Sequence, residues 1–367
     1  MKLGVGLYRY MLKDEEFTFA RQCGCSDVII HLANYYDGEN DIVKATDEKE
    51  NYGIARAGES VWSLDHMMAL QKQAKEKGLN IYGIENFSPA DWYDILLDGP
   101  KKEEQMEHLK EIIRNAGKAG IRCFGYNFSL AGVWGHQKTK KARGGAISTC
   151  FHAGQLNLDA RIPKGEIWNM TYAENARGEY IEDIGYEELW NRLKWFLERI
   201  LPVAEEAGVM MALHPDDPPM PFLRGTPRLV YQPQLYQKVL DLVPSPCNGI
   251  DFCMGSIQEM TDGNIYDALE QYSSQGKIGY AHVRNVRGKV PDYTEVFVDD
   301  GDINIKRTLE ILKKNHFEGV LIPDHTPQIQ CQDTWHAGMA FALGFIRAEL
   351  MWLEGYEDKI MSVYAVV

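Results

Sequence analysis

Residues 201–216 read LPVAEEAGVMMALHPD, and the fold is read from this stretch outward. The first half is a helix end, closing on Gly208, a residue that takes the left-handed turn after a helix at little cost. The second half, Val209–His214, is a short apolar run without alternation. That pattern belongs to a strand covered by protein on both faces. The run stops at His214, followed by Pro-Asp-Asp-Pro-Pro. A buried strand that ends in an imidazole and a polar loop is a unit in which the framework and the chemistry meet.

The same unit recurs along the chain. Strands are predicted at Leu3–Leu7, Asp27–His31, Asn80–Ile84, Arg122–Tyr126, Val209–His214, Asn248–Cys253, Ile278–Val283 and Gly319–Pro323. A helical pattern follows each one. Ser63 is placed to cap the helix after the second strand, and Gly78 and Gly120 to close helices. Eight βα units predict a (β/α)8 barrel, a TIM barrel, with the whole chain, residues 1–367, forming one domain. The rival is a doubly wound open sheet, which the missing Gly-x-Gly-x-x-Gly after the first strand weakens. Two long insertions depart from the minimal repeat, at about residues 33–61 after strand 2 and 129–185 after strand 4. Both are expected on the C-terminal rim, where such barrels carry their sites.

Composition excludes several classes. There are 39 Lys and Arg against 53 Asp and Glu, a net charge of −14. That balance argues against a nucleic-acid partner, which needs a basic face. No apolar run reaches the ~18 residues of a membrane span, and the N-terminus lacks a secretory pattern. Seven scattered cysteines read as reduced thiols of a cytoplasmic protein. A homo-oligomer is expected from the frequency of closed symmetry among enzymes.

The last four strand ends carry the chemistry. They present His214, Cys253, His282 and the pair Asp324-His325. In a barrel these converge on one rim, bringing together imidazoles, a thiolate and a carboxylate. The mixture suits manganese, iron, cobalt or zinc rather than a calcium cage. Of the pair, one residue can hold metal while the other faces substrate as acid or base. Tyr8, His31, Glu85 and Asn127 stand at the ends of the first four strands as substrate-binding candidates, with Tyr126 beside them; Glu85, costly at a rim unless paired, suits a metal or a neighbouring cation as well as substrate. Asp216 and Asp217 suit substrate hydroxyls, ligand orientation or capping of the proline-rich loop. Arg284 suits a substrate carboxylate, or alternatively an ion pair with Asp251 or Glu295.

At these residues the sequence resembles the mannonate dehydratase family, among xylose-isomerase-like barrels. The likeness rests on LPVAEEAGVMMALHPDDPPMP (201–221), Cys-x-Gly-Ser at 253–256, His-x-Arg-Asn at 282–285 and Pro323-Asp-His325. It continues more thinly through Lys2-x-Gly4 with Tyr8, Gly58-Glu-Ser-Val-Trp62, Glu85 and Tyr126-Asn-Phe128. The resemblance implies His214, Cys253, His282 and Asp324 as ligands of a divalent ion, usually Mn2+. It implies His325 as the catalytic acid/base. The implied reaction removes water from D-mannonate to give 2-keto-3-deoxy-D-gluconate in hexuronate catabolism. Four positions depart from the family pattern: Gly6 for an arginine, Val298 for a histidine, Asn304 for an aspartate and Met339 for a catalytic tyrosine, with His336 nearby. The expected activity is therefore a metal-dependent sugar-acid dehydratase. The alternatives are a related isomerase, epimerase or lyase on another sugar derivative, and a non-catalytic sugar-binding relative.

Overall fold

Eight parallel strands close on themselves in the computed structural model, which describes residues 1–35, 53–173 and 178–355. The strands are β1 (Lys2–Leu7), β2 (Asp27–Ile30), β3 (Asn80–Glu85), β4 (Cys123–Tyr126), β5 (Met210–Leu213), β6 (Asn248–Cys253), β7 (Ile278–His282) and β8 (Val320–Ile322). They neighbour one another in sequence order, and β1 pairs with both β2 and β8. The open-sheet rival is excluded by that closure. Each strand sits within a residue or two of its expected place.

Helices follow the strands as the caps predicted. Ser63 accepts a hydrogen bond from the His66 amide at the start of Leu64–Glu76. Gly78, Gly120 and Gly208 all have positive φ, where a side chain would be strained. The helix Tyr186–Ala207 buries Leu189, Leu193, Phe196, Leu197 and Ile200. That spacing is one face of a helix laid on the barrel wall.

Strand parity explains the inside of the barrel. Side chains two apart on a strand share a face. Ile29, Cys123, Ala212, Tyr280, Val320 and Ile322 pack together as one cluster inside the ring. Glycines lie among them where bulk would not fit: a Cβ on Gly125 would fall 2.1 Å from the Tyr280 oxygen. The same parity turns Tyr126 outward, its ring 5.3 Å from Phe196. Tyr126 is therefore wall packing rather than part of the rim.

The insertions differ from simple rim loops. Most of the first, residues 36–52, lies outside the described residues. The second supplies strands His136–Thr139 and Ser148–His152. These pair with a hairpin, Asn285–Lys289 and Asp292–Val296, that follows β7. The resulting four-stranded antiparallel sheet roofs one side of the barrel mouth. Nothing in the local sequence of either piece specifies this long-range pairing.

Candidate active site

The C-terminal ends of β5, β6 and β7 bring His214, Cys253 and His282 together, with one donor atom from each within 4.8 Å of the others. Asp324, just past β8, places its Oδ2 3.4 Å from His282 Nδ1. Its φ of 62° is a left-handed conformation that is unusual for a residue other than glycine. The four expected ligands thus share one corner of the mouth. A Cys, two His and an Asp make a donor set for a borderline divalent ion. Both His282 ring nitrogens are buried without a hydrogen bond of normal geometry, so the residues present fit such an ion.

The Cys-x-Gly-Ser motif has a mechanical reason. The Ser256 amide and hydroxyl lie 3.5 and 3.1 Å from Cys253 Sγ. Gly255 leaves the space that Arg284 fills, since a Cβ there would stand 2.6 Å from Arg284 Nε. Arg284 Nη2 donates to Cys253 Sγ at 3.3 Å. Burial alone would push the Cys253 thiol up, but Arg284, His214 and His282 hold it well below its usual value. The same contacts favour the thiolate form, the form in which a cysteine binds a divalent ion.

Arg284 itself is not presented to a ligand. It is buried, with Nη2 2.6 Å from Asp217 Oδ2 and 2.8 Å from Ser256 Oγ, while Nη1 pairs with Glu295. The expectation that it grips a substrate carboxylate gives way to its alternative, the ion pair with Glu295, because the fork is already engaged by acids of the chain. Asp216 is corrected in the same way. Its Oδ2 accepts from the Leu229 and Val230 amides, both at 2.8 Å, and its Oδ1 pairs with buried Arg228. It fastens the loop after β5 rather than facing the mouth.

His325 lies at the opening, with its side chain 39% exposed. Its Nδ1 is 3.1 Å from Glu295 Oε1 and its Nε2 3.5 Å from Asp324 Oδ1. Burial opposes its charged form, but Asp324 and Glu295 raise it to about 9. Glu295, against the pull of burial, is held at about 2 by Arg284 and His325. Across the mouth, Tyr8 stacks on His31 with ring centroids 4.9 Å apart. His31 Nδ1 is 3.2 Å from the Tyr35 hydroxyl, and its Nε2 is 3.8 Å from Glu85 Oε2. Gly6, Tyr8, His31, Ile322, Asp324 and Trp335 line a small cavity here. Asn127 is buried just past β4.

The family profile described as D-mannonate dehydratase (UxuA) matches residues 30–365. This chain belongs to that family. Curated relatives named mannonate dehydratase include one from Thermotoga petrophila, 32% identical over 288 residues that span 72% of this chain and 78% of the relative. Another, from Geobacillus thermodenitrificans, is 30% identical and spans 72% and 76%. The crystal structure of mannonate dehydratase from Streptococcus suis superposes with a TM-score of 0.72 at 25% identity, covering 97% of this chain and 95% of that one. An L-ribulose 3-epimerase shares the fold at 13% identity and a TM-score of 0.57, with 97% of each chain covered.

The departures from the mannonate dehydratase pattern have distinct structural fates. Met339 and Val298 are buried in the main core. Asn304 caps the helix Ile305–Lys314 by accepting from the Arg307 amide. His336 does not replace the tyrosine, because it turns to the helix Asp14–Gln22 and reaches Glu16 Oε2 at 2.8 Å. From this helix Trp335 reaches the mouth, where it lines the small cavity with Tyr8 and Asp324. Gly6 does face the site: a Cβ there would point to within 3.9 Å of His31 Nε2.

Sequence reading does not place four contributors in the site, and two of them, Asp251 and Glu295, enter it only as alternative partners for Arg284. Asp251 lies on the same face of β6 as Cys253, two residues deeper, and parity alone could have found it. His136, Tyr293 and Glu295 arrive on the antiparallel sheet, for which no local signal exists. Tyr293 donates to Asp217 Oδ1 at 2.8 Å, and His136 Nε2 lies 2.7 Å from the Tyr293 hydroxyl.

Proposed function

We propose that the protein is a metal-dependent sugar-acid dehydratase, a hydro-lyase, acting on D-mannonate or a close relative among the aldonates. The observation that carries this reading is the meeting of His214, Cys253, His282 and Asp324 at the mouth of a barrel of this family. Dehydration removes the proton beside the carboxylate and the hydroxyl on the next carbon, and the enol product rearranges to a 2-keto-3-deoxy acid. When bound, a divalent ion, here manganese, supplies positive charge that stabilises the negative charge developing next to the carboxylate. His325 is positioned by Glu295 and kept protonated near neutrality, as a group that delivers a proton to a departing hydroxyl must be. Arg284 holds Cys253 as a thiolate, and Asp217 and Glu295 hold Arg284. Tyr8, His31, Glu85 and Asn127 face the substrate. Seven cysteines without a disulfide suit the reducing cytoplasm, and no described helix is long and apolar enough to cross a membrane. We also place the chain in a homo-oligomer.

The buried Met339 favours a second reading, an isomerase or epimerase on a related sugar. The test is incubation with Mn2+ and D-mannonate, then a panel of aldonates, with the 2-keto-3-deoxy acid as readout. Product that disappears in His325→Asn supports the dehydratase. Solvent deuterium entering a sugar without loss of water selects the isomerase or epimerase instead. Cys253→Ser should lower manganese content, and unchanged content would remove Cys253 from the ligand set.

A further inference from the structure

One layer below the expected ligands lies a second set of donors. Asp251 precedes Cys253 by two residues on β6, so it shares that face about 6.6 Å deeper in the barrel. It is completely buried, and neither carboxylate oxygen makes a hydrogen bond of normal geometry. Glu85, at the end of β3, is also buried, and its Oε2 is likewise without a hydrogen bond. His282 Nε2 stands 3.4 Å from Glu85 Oε2 and 3.5 Å from Asp251 Oδ2. One donor atom each of Glu85, Asp251 and His282 lies within 4.8 Å of the others. Donors at 2.0–2.1 Å from one ion in a tetrahedron lie about 3.3 Å apart, and the two separations from His282 Nε2 are close to that. Gly125 keeps the space clear, because a Cβ there would press on the Tyr280 hydroxyl and come within 3.3 Å of Glu85 Cγ.

Charge points the same way. An ion held by Cys253 and Asp324 neutralises those two anions. Arg284 is occupied by Asp217 and Glu295. Glu85, which has His31 Nε2 at 3.8 Å, and Asp251 both lie against His282 Nε2 in the barrel interior, where uncompensated charge costs several kcal/mol per ion. The imidazole is oriented to serve both layers, with Nδ1 toward Asp324 and Nε2 toward the two acids.

We propose that Glu85, Asp251 and His282 Nε2 form a second, inner divalent-cation site, linked to the outer ligand set through the His282 ring. Coordination at both ring nitrogens releases the remaining ring proton to solvent. The inference rests on the outer site proposed above through the shared His282 and through the two anions that the outer ion neutralises.

The test counts ions. Full-length protein stripped with a chelator is dialysed to equilibrium against MnCl2, and bound manganese per chain is measured by elemental analysis. Two ions are expected in the unaltered protein, with paramagnetic-resonance lines broadened by their closeness. Asp251→Asn and, independently, Glu85→Gln should each fall to one. One ion in the unaltered protein, lost in Cys253→Ser, overturns the inner site and leaves the outer one standing. Two ions persisting in a folded Asp251→Asn also overturn it. No bound ion overturns the inner site together with the metal dependence of the proposed activity. The count in the unaltered protein needs no variant to fold.

Discussion

Replacing Arg284 with methionine separates a brace from a substrate grip. The guanidinium is buried and contacts Asp217, Glu295, Ser256 and Cys253. Methionine fills part of the volume but leaves Asp217 and Glu295 as buried carboxylates without the guanidinium, with His136 and His325, each 3.1 Å away, against them. Breaking a buried ion pair from one side costs about 3–5 kcal/mol. At about 2 °C per kcal/mol for a large domain, the melt of Arg284→Met should fall by about 6–10 °C. The measurement belongs on metal-free protein, since a bound ion adds its own stabilisation. Adding Glu295→Gln removes one stranded charge, so the double variant should be more stable than the sum of the single losses, by about 0.5–3 kcal/mol. The thiolate absorbance of Cys253 at neutral pH should also drop, because its main stabilising charge is gone. A melt of metal-free Arg284→Met within about 0.5 kcal/mol of the parent, accompanied by a raised KM, would refute the brace and restore the carboxylate-binding role.

Other consequences follow from the same geometry. Gly255→Ala drives a Cβ to 2.6 Å from Arg284 Nε and should cost about 1–3 kcal/mol by overpacking; a neutral denaturant midpoint would mean that Arg284 has another resting place. Asp216→Ala strands buried Arg228 and two backbone amides, so a loss of about 3–5 kcal/mol is expected. A substrate-binding Asp216 would instead raise KM at unchanged stability. His336 bridges Glu16 and Asp333. Burial disfavours its charged form, but the two acids outweigh it and raise its pKa above the unfolded 6.5. Its contribution is therefore fully present below pH 6.5 and is lost as pH rises through the folded value. Melts of the parent and His336→Gln should differ more at pH 6 than at pH 9, and a constant difference would discount the bridge.

Much of this protein was legible in the sequence because its signals are local. Gly78, Gly120 and Gly208 take the left-handed turn that ends a helix, and short unalternating apolar runs set between helical patterns read as strands covered on both faces. Eight such units leave few ways to close. The ligand-type residues at the last four strand ends were legible for the same reason, since a strand fixes where its end points once the barrel exists. Strand parity would also have reached Asp251. Tertiary structure decided the rest. Whether Arg284 and Asp216 serve a ligand or the fold depends on what stands opposite them. Glu295, Tyr293 and His136 come from a sheet that joins residues more than a hundred positions apart, and Asp217 from a loop that only the folded barrel brings beside it. The roles of Met339, Trp335 and His336 turn on which side of one helix faces the mouth. Periodicity gives an element its faces, but only packing against the other elements assigns each face its partner.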